Sequence, residues 1–203
     1  METRSLKTRY IIFYFTAFTI ILWVFYIIPS GWIEGLTAQT AVGVLSIFGH
    51  TTSWKQTAGY TTLTLLGQHP LTVSIIRECT ALNVLGVMAG LILPLIASWK
   101  KRVVGIALSG FLLFTLNIPR IVLTVYLTSY DTWPFTLIAD RNLETYHYPI
   151  SFIFGVIGVA LTVFAVSHWT TPELADTLIG IIDKIIGLGK KSNTTSPTSQ
   201  SSL

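Results

Sequence analysis

Long apolar runs almost free of charge constrain this chain more than anything else in it. Residues 10–28, 79–98, 103–128 and 149–169 each approach or exceed the roughly 20 residues that a helix needs to cross a hydrocarbon core. Within such a core every backbone N–H and C=O must find a partner inside the protein, so these runs read as helices. The whole chain agrees, with 51% apolar residues, 11% charged residues and a mean hydropathy of +0.65, values that exclude an ordinary water-soluble domain. The expected fold class is therefore all-α polytopic membrane protein. It comprises a bundle of about four to six transmembrane helices, a small outer β-hairpin and a C-terminal amphipathic helix.

Lysine and arginine placement orients the bundle. Arg4, Lys7 and Arg9 precede the first run, Lys100, Lys101 and Arg102 separate the second and third, and Lys190 and Lys191 follow the last. The positive-inside rule puts all three clusters in the cytoplasm of a cell (plasma) membrane protein. Topology and anionic headgroups thus account for the net charge of +4, and a nucleic-acid role is unsupported. Cys79, the loop 130–148 and the start of the last run then face outward. An even number of crossings is required between residues 10 and 99, so the shorter, more polar stretch 36–48 is expected to be re-entrant or interfacial. It becomes a full crossing only if the amino terminus lies outside. The first run is longer than a signal-peptide core and no small-x-small site follows it, so it is expected to be retained.

Between the first two long runs, "TTLTLLGQHPLTVSII" alternates imperfectly and breaks at "GQHP" (67–70). This reads as an outer hairpin leading into the cysteine, or as an irregular loop. After the last run, Thr171 caps a segment opening with Pro172 and Glu173, in which Leu174, Leu178, Ile181, Ile185 and Leu188 recur at helical spacing. The expected organisation is a transmembrane catalytic domain (1–171), a cytoplasmic interfacial helix (172–189) and a disordered polar tail (190–203).

Three runs collect their small and polar residues into stripes. Cys79, Asn83, Gly86 and Gly90 mark one, Gly110, Asn117, Arg120 and Thr124 a second, interrupted by Pro119, and His147, Ser151, Gly155, Gly158 and Thr162 a third. Small residues allow close approach of membrane helices, so the stripes are expected to face one another. Each carries one reactive group near the outer boundary: from residue 103 to Arg120 is about 25 Å along a helix. An arginine within a span costs about 2.5–3.5 kcal/mol on insertion scales and by default marks function. The single cysteine allows no internal disulfide. His50, His69 and His168 show no HExxH spacing, so no metal is expected, nor any other cofactor. No GxSxG elbow occurs. Thiol, imidazole and cation together are the parts of a cysteine acyl-transfer site, with Cys79, Arg120 and His147 catalytic and Asn117 and Asn83 supporting. The competing reading is a non-enzymatic assembly partner or small transporter, in which Asn117, Pro119 and Arg120 form a kink or a permeation site.

The order of these motifs resembles the exosortase/archaeosortase family of membrane cysteine transpeptidases. "ECTA" (78–81) opens a helix after an outer hairpin, "NIPRI" (117–121) lies inside the next, and a histidine opens the following one. The resemblance covers 61–169, and on the archaeosortase side implies an enzyme that recognises a secreted protein ending in a short motif, a transmembrane helix and a basic tail. Such an enzyme cuts near the motif and passes the new carboxyl end to a surface acceptor, a membrane lipid in archaea. Two departures stand out. Ala81 replaces the glycine common two places after the cysteine, and archaeal relatives often carry arginine where this chain has His147.

Overall fold

The computed structural model describes residues 8–130, 132 and 142–187. Arg4, Lys7, Lys190, Lys191, Leu188 and the tail 190–203 lie outside the described residues, as does the side chain of Ile185. Six α-helices and one three-stranded sheet follow in the order α1 (Thr8–Ile27), α2 (Gly31–Ile47), β1 (Thr52–Thr57), β2 (Tyr60–Leu65), β3 (Leu71–Ile75), α3 (Leu82–Ile92), α4 (Trp99–Ser129), α5 (Leu143–Trp169) and α6 (Glu173–Gly187). The chain is a helical membrane protein, with α1, α4 and α5 long and apolar enough to cross a bilayer. Helix α1 is apolar all round, exposing Ile12, Phe13, Ile20 and Trp23 and burying only Tyr14. That pattern suits lipid on most of its surface.

The run 79–98 departs from expectation. It holds an α-helix of only 11 residues, about 16 Å long and too short to cross alone. A 3₁₀ turn, Arg77–Cys79, precedes the helix. Even so, the segment follows α1 along its length in the opposite direction. Tyr10 donates to the Pro94 carbonyl, Tyr14 to that of Leu91 at 2.6 Å, and Arg77 to that of Ile28 at 2.8 Å. The glycine stripe is also corrected. Gly86 and Gly90 face α1, where a Cβ would meet Phe25 and Phe18 at 2.8 Å, and not the other two stripes. The helical count that joined them to Cys79 fails because the helix begins only at Leu82.

The expected hairpin is present as β2 and β3, antiparallel, with Leu65 opposite Leu71 and Thr61 opposite Ile75. Leu63, Leu65, Val73 and Ile75 point inward, the alternation of a half-buried sheet. An unexpected third strand, β1, pairs with β2 through a turn at Gly59, whose φ is 111°. Stretch 36–48, all but its last residue, lies within a 17-residue helix, α2, which contacts all three strands and α4. It stops at Gly49 (φ 81°), where the Gly49 and His50 amides bond back to Ser46 and Leu45. This pairing is a Schellman stop.

Two cores result. At the sheet end, Ala38, Ala41 and Leu45 of α2 pack with Leu63, Val73, Ile121 and Val125. At the opposite, basic end, Tyr14, Met88, Ile92 and Leu113 pack with Leu174 and Ile181 of α6. The basic end also gathers Arg9 and Lys100–Arg102. Lys101 pairs with Glu173 at 2.7 Å, and Arg102 bonds the carbonyls of Leu93 and Ala97 at the close of α3.

Candidate active site

Cys79 stands at the end of a turn that is tied down on several sides. Its amide donates to the Ile76 carbonyl at 2.8 Å, and the buried Thr80 hydroxyl donates to that of Arg77 at 2.7 Å. The Cys79 carbonyl accepts from Asn117 Nδ2 at 2.8 Å, a bond from the middle of α4. Asn117 thereby sets the cysteine backbone against the helix that carries Arg120 one turn later. Asn83 has a different role from its neighbour in the stripe, because its Oδ1 accepts from Arg77 Nε at 2.8 Å.

Arg120 lies about 30 Å along α4 from its start at the basic end. Its Nε and Nη2 are buried and have no hydrogen-bond partner among the described residues. Donors in that state cost free energy unless something else accepts from them. Helix α5 is capped by Asn142, whose Oδ1 accepts from the Thr145 amide and hydroxyl, both at 2.8 Å. His147 follows in the second turn.

Cys79, Arg120 and His147 all line one cavity of about 240 Å³, together with Thr124, Glu144 and Tyr148. Val73, Ile75 and Val125 give it an apolar part of its lining. The three reactive groups singled out in the sequence thus converge, and Asn117 joins them through the backbone. Asn83 does not. Glu144 escaped the sequence reading, although it lies three residues before His147 and so shares its helical face. A larger apolar cleft of about 970 Å³ opens on the other face of α4, against α2, with Pro119, Tyr126 and Phe154 in its wall. Among the described residues, no three His, Cys, Asp or Glu side chains group closely enough to share a metal ion.

A helical membrane protein with a thiol, a guanidinium and an imidazole in one cavity at the sheet end is the class of molecule that fold and site define. The chain belongs to the transmembrane exosortase family, which it matches over residues 2–136. That family works as membrane cysteine transpeptidases and proteases. The match takes in Cys79 and Arg120 and stops short of His147. No curated protein and no solved structure matches the chain.

Proposed function

We propose that this exosortase is of the archaeosortase type, cleaving a C-terminal sorting segment from secreted surface proteins and transferring the new carboxyl end to a surface acceptor, a membrane lipid. One observation carries the reading: Cys79, Arg120 and His147 line the same small cavity, where two Arg120 donors lack any acceptor among the described residues.

In this mechanism His147 takes the proton of the Cys79 thiol as the sulfur attacks the scissile carbonyl carbon. The C=O electron pair moves to oxygen, and the resulting oxyanion accepts hydrogen bonds from Arg120 Nε and Nη2. Collapse breaks the C–N bond and His147 returns the proton to the leaving amine, leaving a thioester on Cys79. A hydroxyl or amine of the acceptor then attacks the thioester, His147 accepts its proton, and the thiol regains it as the C–S bond breaks. Water in place of the acceptor gives hydrolysis through the same steps. The active site faces the extracytoplasmic side of the plasma membrane, as the Arg9 and Lys100–Arg102 clusters at the other end support by the positive-inside rule.

The test is to co-express the protein with a candidate substrate that ends in a short motif, an apolar span and a basic tail, and to follow its size and lipid attachment. Cys79→Ser should abolish both changes while inserting normally in the membrane. Processing that survives Cys79→Ser would favour a non-enzymatic role and remove this one.

A further inference from the structure

Arg77 is a half-buried cation with no carboxylate bound to it by any described hydrogen bond or ion pair. Its guanidinium instead spends its donors on neutral acceptors. Nη1 bonds the Ile28 carbonyl at 2.8 Å, Nη2 bonds the Phe25 carbonyl, and Nε bonds Asn83 Oδ1 at 2.8 Å. The guanidinium carbon also sits 5.5 Å from the centre of the Tyr26 ring. Carbonyls at the C-terminal end of a helix lack intrahelical donors and carry the negative end of its dipole, so a guanidinium satisfies both needs at the close of α1. The planar fork of arginine can reach three acceptors together, which an ammonium on its single stem cannot do in the same geometry.

The consequence falls on the residues that follow. Arg77 opens the 3₁₀ turn that ends at Cys79, and its own carbonyl accepts from the Thr80 amide at 3.0 Å and the Thr80 hydroxyl at 2.7 Å. The turn is therefore gripped at three points: by α1 through the Arg77 side chain, by α3 through Asn83, and by α4 through the Asn117 bond to the Cys79 carbonyl. Only the last point could be anticipated from the Asn117–Arg120 motif. Short 3₁₀ segments are weakly bonded internally, so what holds this one in register is the clamp around it. Gly86 lies against Phe25, the residue whose carbonyl Arg77 bonds, so the clamp is seated on the tight α1–α3 contact.

We infer that Arg77 is a positioning residue for the thiol: a strut that fixes the Cys79 turn between the end of α1 and Asn83 so that the sulfur points into the cavity shared with Arg120 and His147. This inference rests on the proposed acyl-transfer role, but one of its tests does not. Because Cys79 is the only cysteine, alkylation by N-ethylmaleimide in detergent reports on its presentation with no substrate present. In Arg77→Met the half-buried thiol should become freer, and its alkylation about tenfold faster, at the scale by which small misplacements alter reactivity. With a processed substrate, kcat should fall about tenfold or more while KM stays within about twofold, and Arg77→Lys should recover part of the loss. Asn83→Leu should shift both readouts in the same direction by a smaller factor, and it decides the matter if Arg77→Met fails to fold. A folded Arg77→Met protein with parental alkylation and kcat overturns the strut, as does a folded Asn83→Leu protein with parental values where Arg77→Met cannot be made. Loss of thermal stability with unchanged alkylation also overturns it, since that is the mark of a purely structural arginine. If Cys79→Ser still processes substrate, the acyl-transfer role falls, and the alkylation rates separately show whether the strut stands.

Discussion

At the scale of single residues, Arg120 is where cost and use separate. Its buried Nε and Nη2 lack acceptors among the described residues, and an unpaired buried donor lowers stability. A guanidinium that served only the fold would be expected to find carbonyls, as Arg102 does. Arg120→Met is accordingly expected to raise the thermal midpoint in detergent while lowering turnover by about 10²–10³, the loss typical of removing an oxyanion donor. Arg120→Lys, which keeps charge but not the fork, should fall between. A drop in both midpoint and turnover would assign Arg120 to the fold. Much of this neighbourhood was legible in the sequence, because a lone thiol, an intramembrane arginine one turn from an asparagine and a histidine at a helix start are each costly or rare enough to stand out. Arg77 and Asn83 were not legible as a pair. Arg77 bonds backbone carbonyls at the end of a distant helix, which leave no mark in side-chain patterns, and its side-chain bond to Asn83 crosses the 3₁₀ turn rather than one helical face.

At the scale of elements, the α1–α3 seam explains why so short a helix holds its place. A Cβ at Gly86 would sit 2.8 Å from the Phe25 Cβ, which cannot swing aside like a side-chain tip, whereas Gly155 has nothing within 4 Å. Gly86→Ala is expected to cost about 1–3 kcal/mol by overpacking, and Gly155→Ala to be neutral or mildly stabilising. Unfolding in a fixed detergent measures both. Helix α6 offers a pH test. Partial burial pushes the Glu173 carboxyl up, but the hydrogen bond from Lys101, the residue's own backbone amide and the Lys101 charge outweigh it and leave the group below its ordinary value. A depressed folded-state pKa contributes stability above the unfolded value, near 4.5, and that contribution disappears as pH falls through the folded value. The pair is partly exposed, so the effect should stay below about 1 kcal/mol. Protection against hydrogen exchange in α6, taken relative to the intrinsic rate at each pH, should fall modestly below about pH 4.5, and Lys101→Ala should remove that pH dependence. The sequence showed the β2–β3 hairpin through its alternation, and α6 through its apolar spacing. It hid β1, whose "TSWKQT" side chains are mostly exposed and alternate with nothing, and it overstated α3, because apolar composition marks depth in a membrane and not where helical hydrogen bonding begins.

At the scale of the whole molecule, the two cores divide the labour. The basic end knits α1, α3, α4 and α6 together, and at the sheet end α2 packs on the strands while β3 walls the cavity against α4 and the start of α5. A thiol, an imidazole and a guanidinium from separate parts of the chain meet there because α1 and α3 run alongside each other while α4 and α5 pack as neighbours. The central claim, that Cys79 forms an acyl bond to substrate in that cavity, is reached most directly by acid-quenching the protein during processing and locating any adduct by mass spectrometry. The expected result is the amino-terminal part of the substrate joined to the peptide containing Cys79, released by hydroxylamine as a thioester is, and lacking in Cys79→Ser. Processing at full rate with no adduct on that peptide, and none lost in Cys79→Ser, would contradict it.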